Sequence, residues 1–185
     1  PLLSVRELKT YFYQDEGIVK AVDGATFDVH ASRTLGVVGE SGCGKSVTSR
    51  SILRLLEKHG RIVGGTMLYR RNYGTDSETE VDLAALDPKG AEMRSIRGAE
   101  IALIFQEPMT AFSPVHTIGS QIVEAITLHR KLGEAEAHAL GVDLLHRVGI
   151  PLPEQRMSEY RHQLSGGLRQ RAMIAMALSC DPRLL

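Results

Sequence analysis

One short run limits this chain more than any other. Gly39-Glu-Ser-Gly-Cys-Gly-Lys45-Ser46 follows the apolar stretch Thr34-Leu-Gly-Val-Val38 and opens a helical pattern at Lys45. Glycines at 39, 42 and 44 admit backbone conformations closed to residues with a Cβ. Successive N–H groups can then turn inward toward one anion. A helix beginning directly after the run adds its positive end at the same place. Strand, GxxxxGK(S/T), helix is the sequence form of a phosphate-binding loop. Its chemistry assigns roles: Lys45 reaches the β- and γ-phosphates of a nucleotide, and the Ser46 hydroxyl ligates Mg²⁺. Glu40, Ser41, Cys43 and Val47 lend backbone to the cradle, and Cys43 reads as a small passive loop residue. With glycine near ~7% of residues, the four fixed positions would match by chance in well under ~1% of such chains. We therefore read nucleotide binding here.

The rest of the chain supplies an α/β setting for that loop. Val5–Tyr13 and Val19–Val29 are rich in β-branched and apolar residues around an Asp15-Glu16-Gly17 turn, so antiparallel strands are expected. Thr34–Val38 and Ile101–Phe105 read as short buried strands, and Gly64–Tyr69 as another. A helix is expected over Lys45–Lys58 with Gly60 as its stop. Arg70–Arg97 reads as a polar loop with a short helix near Glu92–Arg97. Beyond it the text turns helical over Ile118–Lys131, Glu134–Val148 and Ser165–Ser179, interrupted by Pro151-Leu-Pro153. Strands first and helices later indicate an α/β core with a helical insertion.

Composition excludes several other classes. The 185 residues hold 22 Lys+Arg against 22 Asp+Glu, so no overall field draws nucleic acid or an acidic membrane. The longest continuous apolar run is Ala172–Leu178, far short of the ~20 residues of a spanning helix. Cys43 and Cys180 lack metal-ligand spacing and fit a reducing compartment better than a disulfide framework. Service to a membrane would thus run through a protein partner.

A phosphate loop alone is common to kinases, GTPases, helicases and transport ATPases. The discriminating text lies far downstream, at Leu164-Ser165-Gly166-Gly167-Leu168-Arg169-Gln170. It describes a second helix N-terminus, with Ser165 able to cap and two glycines exposing backbone N–H groups. This run resembles the LSGGQ signature of ATP-binding-cassette (ABC) proteins. Between the two motifs, Ile104-Phe-Gln106-Glu-Pro108 is similar to the family's Q-loop. The resemblance implies a P-loop, RecA-like core over residues 1–106, including an antiparallel β subdomain. It further implies a helical subdomain over 107–180 and the start of the Walker B strand at 181–185. Gln106 would sense Mg²⁺ and the γ-phosphate, and Ser165, Gly166 and Gly167 would face ATP held by a second ABC ATPase subunit in a head-to-tail pair. Within Tyr11-Phe-Tyr13, Phe12 is the expected adenine-stacking ring.

The resemblance narrows further. Leu8–Phe12, Val19–Gly24, Met93–Gly98, Phe105–Thr110, Gly119–Gln121 and Arg169–Leu178 are similar to ATPase subunits of oligopeptide, dipeptide and nickel importers. That implies two integral-membrane permeases, an extracytoplasmic solute-binding protein, and a peripheral place on the cytoplasmic face of a bacterial or archaeal membrane. Permease docking is expected around Gln106–Gln121, at the Pro108-Met109 turn. Departures are Ala111-Phe-Ser-Pro114, Arg161 where proline is common, Leu168 for Met, and an acidic insert around Asp76–Asp82. The Walker B carboxylates and the switch histidine of the family are not matched before Leu185, so this polypeptide alone is expected to hydrolyse almost nothing. A soluble repair or translation ABC ATPase and a small-molecule kinase are the rival readings. The first lacks support in the importer-like text, and the second has no use for Ser165-Gly-Gly.

Overall fold

The computed structural model describes residues 1–106 and 111–185. They form two units, Pro1–Arg94 and Ser95–Leu185, each taken by itself. In the first, β1 (Leu3–Gln14) and β2 (Gly17–Val29) make the expected hairpin, with Leu3 opposite Val29 and Gln14 opposite Gly17. β3 (Gly60–Arg71) pairs antiparallel with β1, and β4 (Thr79–Asp82) with β3, giving the order β2-β1-β3-β4. Leu3, Val5, Leu8, Met67, Tyr69 and Leu83 are fully buried and form the apolar side of this sheet. Helix α1 (Lys45–Ile52) is joined to β1 by a buried hydrogen bond between the Thr10 and Ser51 hydroxyls, 2.9 Å long.

β4 corrects the reading of Arg70–Arg97 as loop. Its side chains are polar, but Arg70 on β3 pairs with Glu78 at 3.6 Å and Glu80 at 3.4 Å, and Asp82 accepts the Met67 N–H. Cross-strand charge pairs hold an edge strand without apolar alternation. Helix α1 is also shorter than expected. Arg54 takes φ 55°, Leu55 N–H reaches back to Arg50 O at 2.8 Å, and Arg54 N–H to Ser51 O at 3.0 Å. Those two bonds form a Schellman closure with arginine in the place usually held by glycine. Gly60 opens β3 instead of stopping the helix.

Two expected buried strands are not formed. Thr34–Val38 has irregular backbone, and Val38 is 92% exposed. Of Ile101–Phe105, only Ile101 bridges, in parallel, to Arg97 and to Leu184, with Ile101 and Ala102 buried. A parallel strand needs a hydrogen-bonding neighbour along its length, and among the described residues neither segment has one. Apolar composition alone marks a capacity for burial.

The second unit is mostly helical, and helices form over the three segments where the sequence led one to expect them. The short α2 (Ala91–Ile96) lies at the division. It is followed by α3 (Ile118–His129), α4 (Glu134–Arg147), α5 (Pro153–Met157), a 3₁₀ turn at Arg161–Gln163, and α6 (Gly166–Leu178). Ile118, Ile122 and Ile126 recur every fourth residue along α3 and meet Leu144, Leu145, Met157, Leu164 and Met173 in one core. The Thr117 hydroxyl caps α3 by accepting the Ser120 N–H at 3.1 Å. Helix α5 was not expected from the Pro151-Leu-Pro153 break, yet Pro153 is its first residue, where a missing N–H does no harm.

Candidate functional site

The glycine run lies at the N-terminus of α1 within the first unit. Gly42 and Gly44 have φ of +83° and +92°, the left-handed region, whereas Gly39 does not. A Cβ at Gly39 would stand 2.5 Å from Cys43 Sγ, the tip of an exposed side chain that would have to turn away. At Gly44 a Cβ would stand 2.2 Å from the Ala21 carbonyl oxygen, so β2 backs the loop closely. Glu40, Ser41, Gly42 and Cys43 are exposed.

Lys45 is already aimed into this loop. Its Nζ donates to Gly39 O at 2.7 Å and Glu40 O at 2.6 Å, and lies 3.4 Å from Cys43 Sγ. The ammonium is therefore oriented by neutral carbonyls, which leaves its charge uncompensated for an incoming anion. Among the described residues the amides of Gly44, Lys45, Ser46 and Val47 find no acceptor, as expected for a first helical turn. Ser46 is exposed. Open amides, one ammonium and one hydroxyl on a Cβ-free cradle fit a polyphosphate, and a hydroxyl oxygen suits a hard cation such as Mg²⁺. No three metal-ligating side chains cluster among the described residues, so a cation here would lean on the phosphate for its ligands.

The three aromatic candidates differ in their surroundings. Phe12, half-buried, lies over Gly60, where an added Cβ would meet its ring at 2.8 Å. Tyr11 donates its hydroxyl to Asp23 at 2.7 Å, a bond that raises the phenol pKa, and Lys20 sits 5.5 Å above its ring. Tyr13 is exposed with Arg61 over it at 6.0 Å.

In the second unit, Ser165 is the N-cap of α6, its hydroxyl accepting the Leu168 N–H at 3.4 Å. Ser165, Gly166 and Gly167 are all exposed, and a Cβ on Gly167 would meet nothing within 4 Å. Buried Leu164 anchors the turn in the helical core, which leaves the tip facing outward. Gln106 is exposed in a bend after the Ile101–Phe105 segment. The Pro108-Met109 part of the expected docking turn lies outside the described residues. Sequence reasoning placed Gln121 in the Gly119–Gln121 run and at the end of the expected docking region but gave its side chain no structural role. Its side-chain amide holds the segment before α3, accepting the Ser113 N–H at 2.8 Å and donating to His116 O and Thr117 O. A glutamine after a run of turn residues was the available signal.

The family model described as ABC transporter matches residues 22–185. A probable peptide ABC transporter ATP-binding protein of Sinorhizobium fredii is 48% identical over 186 residues, covering all of this chain and 52% of that protein. A dipeptide transport ATP-binding protein of Bacillus subtilis is 45% identical over 185 residues, again covering all of this chain and 52% of the relative. A glutathione import ATP-binding protein of Pectobacterium atrosepticum is 46% identical, with 29% of its length covered. This chain thus spans about half the length of the curated peptide-transporter relatives it matches. A dimeric bacterial ABC transporter cassette superposes with a TM-score of 0.78 over 97% of this chain and 70% of that one, at 21% identity. That likeness shows the fold, which is α/β.

Proposed function

Since the chain belongs to the ABC transporter family, we propose that it is the ATP-binding and ATP-hydrolysing subunit of an importer carrying di- or oligopeptides. The observation that carries this reading is the loop at Gly39–Val47. Lys45 is held on two carbonyls among the four open amides of Gly44–Val47, which is a seat for the β- and γ-phosphates. Relatives named for peptide and dipeptide transport support the choice of cargo. The relative named for glutathione import keeps that choice at the level of small peptides.

In this reading the amides of Gly39–Val47 and the Lys45 ammonium bind and orient the phosphates, Ser46 Oγ would hold Mg²⁺, and Gln106 keeps the metal-sensing role that the family resemblance gives it. Bound Mg²⁺ supplies charge neutralisation at the phosphates. Catalysis is then chiefly positioning and electrostatic stabilisation. Phe12 takes the adenine, and Ser165, Gly166 and Gly167 face the nucleotide of a second ATPase subunit. The carboxylate that orients the attacking water is not one of the residues assigned here. Partners are two permeases, docking around Gln106–Gln121, with a solute-binding protein acting through them at the membrane's outer side. Among the described residues no helix is long and apolar enough to cross a membrane, which accords with a peripheral place on the cytoplasmic face. The division into a core over 1–106, a helical part over 107–180 and a strand start at 181–185 remains part of the same proposal.

The test uses the full-length protein. Lys45→Met removes charge-assisted bonds of about 1.5–3 kcal/mol and should weaken MgATP binding by about 10- to 100-fold. Gly167→Ala should leave stability unchanged or raise it by about 0.5–1 kcal/mol, because helix interiors favour Ala. It should nonetheless slow ATP turnover, by crowding the amides meant for phosphate. Unweakened binding in the first variant would remove the phosphate seat, and unchanged turnover in the second would remove the facing role of α6.

A further inference from the structure

Three segments of the helical unit converge on one arginine. Arg161 Nη1 donates to the carbonyl of Phe112 at 2.8 Å, and Phe112 is itself in the core at 2% exposure. Phe112 leads into the segment before α3, which Gln121 fastens from the other side. The Arg161 carbonyl in turn accepts from Arg169 Nη1 at 3.3 Å, and the same nitrogen donates to Leu164 O at 2.8 Å. Arg169 stands in the first turn of α6, directly after the Ser165-capped tip. Backbone bonds run alongside: Ile118 N–H to Glu159 O at 2.8 Å, and a bridge between Thr117 and Tyr160.

Arg169 Nε, like Arg54 Nε and Arg156 Nε, is buried and meets no acceptor among the described residues, so its inward pose carries a desolvation penalty. Arg161 occupies a position where the family resemblance leads one to expect proline, a residue with no side-chain donor. A proline at 161 would leave Phe112 O without this donor. Both guanidinium bonds are part-buried, where water competes little, and a planar fork holds its direction better than an ammonium.

We propose that Arg161 is a positioning residue of the nucleotide cycle, tying the segment that leads from Phe112 into α3 to the turn that carries Ser165. It acts through Phe112 O on one side and through Arg169 on the other, and touches no nucleotide itself. Displacement of the Phe112–Thr117 segment then moves the α6 tip with it. The inference rests on the functional reading above for its consequence in catalysis. The mechanical tie stands on the hydrogen bonds alone.

The experiment compares full-length wild type with Arg161→Met and Arg161→Lys. Hydrogen exchange, read on peptides covering 112–118 and 165–169, reports the tie without nucleotide. Exchange should rise at both ends in Arg161→Met and recover in part in Arg161→Lys. With MgATP, kcat should fall about 3- to 30-fold, the span of such coupling effects, while KM stays within about twofold. A rise confined to 159–163, with 165–169 as in wild type, overturns the proposal. So does a fall in thermal stability with KM and kcat shifted together, which marks general loosening. If wild type turns over no ATP, the functional reading fails and the exchange data still decide the tie. Should Arg161→Met not fold, Arg161→Gln, with its shorter side chain, carries the same readouts.

Discussion

Replacing Gly44 by Ala separates two penalties that usually arrive together. The residue has φ +92°, and an L side chain in the left-handed region costs about 1–2 kcal/mol. Its Cβ would also lie 2.2 Å from Ala21 O and 3.5 Å from Val22 Cγ2, where real Cβ atoms essentially never come closer than 3.0 Å. The obstructing atom is backbone of β2, flanked by the pairs Lys20–Tyr11 and Val22–Thr10, so it cannot swing aside as a side-chain tip would. Overpacking of this kind adds about 1–3 kcal/mol, for a total of about 2–5 kcal/mol. Gly42 is the internal control. Its φ is +83°, but a Cβ there meets nothing within 4 Å, so Gly42→Ala should lose only the conformational part, about 1–2 kcal/mol. Urea unfolding of both variants, with nucleotide affinity measured beside it, gives the comparison. Equal losses would refute the claim that β2 presses on the loop at Gly44, and with it the account of how the phosphate cradle is held in shape.

Two further outcomes follow from the first unit. Thr10 and Ser51 share a buried hydroxyl pair, and Ser51 also donates to Val47 O at 2.7 Å. Thr10→Val should cost about 1 kcal/mol and Ser51→Ala about 1–3 kcal/mol, with the double variant losing less than their sum; additivity within about 0.5 kcal/mol in chemical denaturation would show that the pair does not couple β1 to α1. Asp28 accepts bonds from Ser4 and from Arg6, and these, Ser4 first, hold its carboxyl below the usual range. Because the folded pKa is the lower one, the stabilisation is present above the unfolded value and is lost as pH falls through the folded value. Melting temperatures of wild type and Asp28→Asn should therefore differ at pH 7 and converge at the acid end; a gap that persists at low pH would assign the effect to something other than the carboxylate.

What the sequence discloses here is what short-range rules govern. Ser165 and Thr117 cap helices because a hydroxyl can reach the amide three residues on, and Ile118, Ile122 and Ile126 face one way because a helix turns every 3.6 residues. The glycine loop is legible for the same reason, since its geometry is set within eight consecutive residues. Thr34–Val38 shows the limit, for a strand is a relation between segments and its own letters cannot supply the neighbour. β4 shows the converse: Thr79–Asp82 lacks a strand's letters but gains an edge position from Arg70, nine residues before it. Arg54 ends α1 in a conformation that its residue type disfavours, and the Leu55–Arg50 bond that fixes it becomes visible only after folding. Arg161 lies furthest from local rules. Its bond to Phe112 O joins positions 49 residues apart and involves a carbonyl, which every residue type carries. The only trace in the text is an arginine where a residue without a donor is expected. Long-range ties to backbone are thus the part of a site that residue identity conceals, and a departure from family pattern is the signal that can locate them.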